Sequence, residues 1–254
     1  AGVPIIVEGA LDSGAAIGVT DENRGEGVVF AESDMTNAAA NLGFFFSDDG
    51  TWSMVADGAA LEWTNAPVAH NAELNRDYTT LQDAVNDEDL QDGHTIEILR
   101  DITVVGAVAV EGKKFTLTSD EGHSYTVSRD LNFPNKGFFF TLTNGAEVTL
   151  ENITIDGAKH VDSKVCRLFD VDGSKLVLED GAVLQNARGE GYYGKGAIYV
   201  HDNGEVEMYD GAVIQNCEAG YGAAVTLYHS DNSSNKFTMY GGTISGNISG
   251  AGNV

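Results

Sequence analysis

The sequence predicts an all-β fold: a right-handed parallel β-helix preceded by a β-rich segment and one short capping helix. Three observations lead there. One phrase is written repeatedly in the last third of the chain, as Lys175-Leu-Val-Leu-Glu-Asp-Gly-Ala-Val-Leu-Gln-Asn186, again over 205–216 and again over 236–247. Its central apolar residue recurs as Leu150, Leu178, Met208 and Met239, in steps of 28, 30 and 31 residues. Within each copy apolar and polar residues alternate, as in Val148-Thr-Leu150 and Val206-Glu-Met208, which is the period of a strand and not of a helix. A fixed period in this range, with several short strands and no helix-length segment between them, describes stacked coils. One coil cannot bury its apolar face alone, so coils stack at about 4.8 Å and their inward residues form ladders. The closing Asn186, Asn216 and Asn247 are expected to lie above one another as a structural amide ladder.

Composition agrees. The 254 residues include 31 Gly and 3 Pro, suited to many tight turns. Lys plus Arg total 14 against 39 acids, a net charge of −25, which argues against nucleic-acid partners and anionic membranes. No run of about 18 apolar residues suggests a membrane span. The acidity suits an extracellular or cell-surface protein. The opening lacks a signal-peptide pattern and reads as a mature or excised segment.

In chain order, residues 1–64 read as a β-rich closing or assembly segment. Its strands include Ile5-Ile-Val7 and Ala16-Ile-Gly-Val19, divided by turn clusters such as Asp57-Gly58. Phe44–Phe46, Trp52 and Trp63 read as sheet packing or, less often for such residues, as a carbohydrate platform. Residues 65–78 look like a polar, unpatterned linker. Residues 79–93 hold the one good helix signal: Leu81, Ala84 and Val85 share a face, Thr79 or Thr80 can cap it, and Gly93 ends the segment. Such a helix would cover the first coil and block edge pairing. Coils occupy 94–254, through strands such as Thr95–Leu99, Phe115–Leu117 and Phe138–Leu142.

Tyr78-Thr-Thr-Leu-Gln-Asp-Ala-Val85 followed by Gly93-His-Thr-Ile-Glu-Ile-Leu99 resembles the opening of right-handed β-helix proteins of the pectin-lyase-like type. Gly112–Thr118, Val148–Gly157 and Tyr240–Asn247 resemble repeats of bacterial surface proteins of adhesin type. Val7–Thr20 with Phe45–Gly50 is similar to the segment that closes the C-terminal end of such helices. The resemblance implies that the closing segment here comes first and an open coil last. Two arrangements follow: one unit of a longer tandem protein, or a subunit whose residues 1–64 complete its neighbour's open end. A head-to-tail contact of the second kind builds a filament. Ile5, Ile6, Val7, Ile17, Val19, Ile244 and Val254 are the candidate assembly residues.

The fold hosts unrelated functions, so the chemistry must be read separately. The motifs of pectate-lyase-like and polygalacturonase-like sites are missing, and the expectation is a non-catalytic protein. The nearest catalytic-looking set is Asp170 and Asp172 with His201 and Asp202 about one coil on, against the reading of solvated turn acids. Tyr192, Tyr193, Tyr221 and Tyr228 are candidates for glycan stacking in the alternative reading, an adhesin domain. No cofactor motif is present; calcium is the ion that turn acids such as Asp180 and Asp210 would suit. Cys166 and Cys217 are read as a cross-coil disulfide or as two buried thiols. Asn152, Asn232 and Asn247 satisfy the glycosylation pattern, with Asn232 the best exposed.

Overall fold

A computed structural model describes residues 4–11, 17–22, 24–25, 27–34, 37–42, 44–47, 53–130, 133–160, 164–189, 194–228 and 234–250. Among the described residues the chain is all-β apart from two short helices, and its parallel sheets stack as a β-solenoid of about 7 turns. It divides into two compact units: Ala1–Ala66 with Asp130–Asn132, and Pro67–Arg129 with Phe133–Val254.

The larger unit is the solenoid. Each coil contributes one strand to each of three parallel sheets, except that the last described coil reaches only the first two. The first sheet holds His94–Ile98, Lys114–Ser119, Glu147–Leu150, Lys175–Leu178, Glu205–Met208 and Lys236–Met239. The second runs from Ile102–Val104 to Thr243–Ser245, and the third from Val108–Glu111 to Val225–Leu227. The repeat phrase sets the register as its spacing predicts: Leu150 lies opposite Leu178, Leu178 opposite Met208, and Met208 opposite Met239. A slip of one residue would turn that row to solvent, and burial forbids it. In the third sheet Val108, Phe140, Phe169, Ile198 and Val225 form one inward row. Phe140 and Phe169 stack at 4.8 Å with their planes 8° apart. Loop length varies most between the second and third sheets. Val104 to Val108 is a tight corner, whereas more residues separate Arg129 from Gly137, Asp156 from Cys166, Gln185 from Ile198 and Gln215 from Val225, the last interval holding the two-residue strand Glu218–Ala219.

The asparagine ladder is only partly as expected. Gln185 lies opposite Gln215, so Asn186 and Asn216 are in step, and both take the left-handed backbone with φ of 56° and 55°. Gln215 lies opposite Ser245, which puts Gly246, with φ of 64°, at the matching corner. Asn247 therefore falls one residue late. Its Oδ1 accepts from the Cys217 amide at 2.9 Å, and its Nδ2 donates to the Ile214 carbonyl at 2.9 Å. The corner selects residues that tolerate positive φ, Asn or Gly, and the letter Asn alone was an insufficient guide to register. One polar ladder went unread. Asp156 is buried; its carboxylate accepts from the Ala158 amide at 2.6 Å and from the Gln185 and Asn186 side chains at 2.9 Å each. Gln215 continues it by donating to Gln185 Oε1 at 2.9 Å.

Residues 65–78 are a correction. They hold the antiparallel strands Ala69–Asn71 and Arg76–Tyr78, which extend the first sheet before His94–Ile98. A buried Asn71, whose Oδ1 accepts from the Leu74 amide at 3.0 Å to form the turn, disguises the strand as polar linker. The helix that follows, Leu81–Asn86, is capped by Thr80. Its hydroxyl accepts from the Asp83 amide at 3.1 Å and donates to the Asp83 carboxylate at 2.7 Å. Leu81, Ala84 and Val85 join the solenoid's apolar cluster. Asp87 ends the helix and is tied to the hairpin by Arg76 at 2.6 Å and by the Tyr78 hydroxyl.

In the smaller unit Ile5–Val7 pairs parallel with Val29–Ser33, and Ile17–Val19 pairs parallel with Phe45–Ser47. An antiparallel hairpin of Ser53–Asp57 and Ala60–Thr64 joins the first of these. Phe30 packs edge-on to Phe45 at 5.4 Å and tilted on Trp63 at 5.1 Å, so Phe45 and Trp63 are core and not platform. Trp52 lies outside the described residues. The helix Ala38–Leu42 was not foreseen. Its buried Asn41 donates to the Gly9 carbonyl at 2.8 Å and to Ser33 Oγ at 2.9 Å, and accepts from the Leu11 amide at 2.9 Å.

Candidate functional site

The third sheet turns alternate residues outward, and there the structure assembles the set foreseen from the spacing. Asp170 lies opposite Tyr199, and Asp172 opposite His201. His201 Nε2 is 3.0 Å from Asp170 Oδ1, while Nδ1 is 2.7 Å from Asp202 Oδ2 and 3.7 Å from Asp172 Oδ1. Consecutive residues of a strand point to opposite faces. Asp202 escapes that rule because its φ is 51°, which ends the strand and swings its carboxylate back beside His201. Carboxylates thus face both ring nitrogens of His201. Burial would push the imidazole down, but the Asp202 hydrogen bond and the charges of Asp170 and Asp172 outweigh it and raise it. Burial likewise pushes the Asp170 carboxyl up, against the pull of His201.

Aromatic and cationic side chains border this cluster. The Arg167 guanidinium sits 4.0 Å over the Phe138 ring, and the Lys195 ammonium 3.5 Å over Tyr199. Tyr199 lies 6.2 Å from Phe138, 4.8 Å from His201 and 6.0 Å from Tyr228. Burial, and then the nearby Arg167 charge, lower the Lys195 pKa. The face thus presents two cations stacked on rings beside three carboxylates and one imidazole. Its polar groups are largely matched to one another. Of the tyrosines expected to bind glycans, Tyr221 and Tyr228 are exposed, whereas Tyr192 and Tyr193 lie outside the described residues.

A second feature is the last described coil. Met239 and Ile244 continue rows that are buried in the coils before, yet both are exposed, and Ile248, opposite the half-buried Glu218, is 56% exposed. Val254 lies outside the described residues. In the smaller unit Ile5 is exposed, Ile6 is 60% exposed, Ile17 is half-buried, and Val7 and Val19 are buried. Val7 and Val19 are thus core of their own unit, and of the N-terminal candidates Ile5 and Ile6 offer the surface.

The remaining expectations change. Asp180 and Asp210 are exposed, and each carboxylate stands over the next coil's glycine, Gly211 and Gly241. Among the described residues the group able to hold a metal is Asp172, His201 and Asp202. Cys166 and Cys217 are buried free thiols, with no bond between them. Each sulfur turns to a nearby carbonyl in sequence, Arg167 and Gln215 respectively, and burial pushes the Cys217 thiol up to about 11. Of the glycosylation candidates, Asn152 and Asn247 are half-buried. The nitrogen that a sugar would occupy donates instead to His123 and Ile214 carbonyls. Asn232 lies outside the described residues. The alternation of Asp170, Asp172 and His201 was legible, but the turn that returns Asp202 was not. No helix among the described residues is long and apolar enough to cross a membrane. Compared with models of protein families, with curated proteins and with solved structures, the chain matches none, so the pectin-lyase-like resemblance stands as far as the β-solenoid fold.

Proposed function

We propose that the chain is a non-catalytic structural unit of an extracellular filament. In this reading the open last coil of one copy is covered by the N-terminal segment of the next. The observation that carries it is the coil-like spacing of the smaller unit. Ile5 lies opposite Ala31 and Ile17 opposite Phe45, parallel pairs offset by 26 and 28 residues. Solenoid partners such as Val148 and Leu176, or Leu176 and Val206, are offset by 28 and 30. The segment is therefore shaped as a further coil. Its exposed Ile5 and Ile6 match in chemistry the exposed Met239, Ile244 and Ile248 of the last described coil. Adding a strand layer supplies backbone hydrogen bonds as well as apolar burial. The contact is heterologous, so it repeats without closing. The high acidity, net −25, keeps the units soluble and sideways association weak.

The test uses the full chain in sedimentation and electron microscopy. Wild type should form concentration-dependent linear assemblies. Ile6→Asp and Ile244→Asp should each be monomeric alone, yet a mixture of the two should form dimers, because one intact joint remains. Monomeric wild type at about 100 μM, well above the Kd of an ordinary specific contact, or unimpaired assembly of both variants, would overturn the reading.

A further inference from the structure

The geometry points to a divalent transition-metal site on the outward face of the third sheet, formed by His201 Nδ1 with the carboxylates of Asp172 and Asp202. Zn2+ is its representative ion. One ligand atom from each residue lies within 4.8 Å of the others. Two strands and a turn fix the set: Asp172 opposes His201 in register, and the left-handed Asp202 returns to the same side.

The separate observation is at the far nitrogen. His201 Nε2 lies 3.0 Å from Asp170 Oδ1, whose side chain is 24% exposed and which belongs to the neighbouring row, opposite Tyr199. A ligating histidine almost always donates its other N–H to such a carboxylate, which fixes the ring and turns the lone pair to the metal. Asp170 is thus a positioning residue and supplies no ligand atom.

The fit is close. Metal–ligand distances of about 2.0–2.2 Å place neighbouring ligand atoms roughly 3.3 Å apart in a tetrahedral site. Nδ1 to Asp172 is 3.7 Å and Nδ1 to Asp202 is 2.7 Å. Asp202, 63% exposed, has room to withdraw, while His201, at 17%, stays fixed. An imidazole donor disfavours calcium and magnesium, which take oxygen, and suits zinc and its neighbours. Three protein ligands leave coordination positions open beside Tyr199, whose ring lies 4.8 Å from that of His201.

Zn2+ titration of the full chain by calorimetry tests this, at roughly 0.15 M salt, where exposed charges are largely screened, and with excess Ca2+ to occupy oxygen-only sites. One saturable site is expected. His201→Ala and Asp202→Asn, the second an exposed change that spares the fold, should each weaken it at least about 10-fold, and Asp170→Asn by about 10–100-fold. Asp180→Asn should leave it unchanged. Long-range 1H–15N spectra should show Zn2+ moving His201 Nδ1 while Nε2 keeps its proton, with that tautomer preference lost in Asp170→Asn. No saturable site, or a site whose affinity is unchanged in both His201→Ala and Asp202→Asn, would overturn the proposal. So would an unmoved His201 Nδ1 at saturation.

Discussion

Replacing Asp156 by Ala removes the acceptor at the centre of the polar ladder between the second sheet and the corner after it. Three hydrogen bonds end there, from the Ala158 amide and from the Gln185 and Asn186 side chains. Bonds to a charged group contribute about 1.5–3 kcal/mol each, but the losses do not add. Gln185 and Asn186 are half-buried and can turn to water. The Ala158 amide, in a residue 7% exposed, has less access and is left unpaired at about 1–3 kcal/mol. Ala158 also holds φ of 49°, a conformation the Asp156 bond helps to fix. Releasing the carboxylate from burial offsets part of this. The expected net destabilisation is about 3 kcal/mol. With m near 2–3 kcal/mol/M in urea, the midpoint of the solenoid transition should fall by about 1 M. Gln215→Ala, which removes the single side-chain bond to Gln185, should cost only about 1 kcal/mol. Circular dichroism followed through urea measures both. If Asp156→Ala shifts the midpoint no more than Gln215→Ala, the ladder is decoration and the reasoning fails.

Two further outcomes can be measured. The Tyr78 hydrogen bond, followed by those from the Asp89 amide and Arg76, outweighs burial and holds the Asp87 carboxyl down at about 2, below its unfolded value near 3.9. This contribution, about 1 kcal/mol after solvent screening, is complete above pH ~4 and disappears as pH falls through 2. Asp87→Asn should flatten the change in unfolding midpoint between about pH 5 and 2, and an unchanged slope in the variant would count against the assignment. Phe169→Ala empties a fully buried site stacked on Phe140 and should destabilise by about 3–5 kcal/mol. Phe138→Ala, on the outward side, should cost less than half of that in the same unfolding assay; equal losses would contradict the assigned facing.

The repeat and its register were legible because inward Leu and Met residues are under one constraint, burial, and their period is copied directly by the stack. What escaped were contacts whose residue types carry no period. Asn41 ties three segments through its amide alone, and Asn71 makes a strand look like a linker. Asn247 shows the opposite error: a repeated letter whose backbone role had passed to Gly246. At the candidate site, Asp170, Asp172 and His201 followed from alternation along two strands one coil apart. Asp202 was named with them by its place one coil on, but the left-handed backbone that turns its carboxylate to the same side was not read from the pattern. Cys166 and Cys217 could be read as a cross-coil disulfide or as two buried thiols, and they are buried free thiols.

The long connections between the second and third sheets separate two properties that most folds couple. Gln185 to Ile198 spans many more residues than Val104 to Val108, yet strands on both sides keep their partners. Inward rows are read strand against strand, so a connection can lengthen without altering any row. Chain length is therefore a free variable at that corner, while sequence is constrained at the walls. The corner works as a column of addressable positions roughly 4.8 Å apart, where variation can accumulate or be inserted while the stack beneath keeps its register.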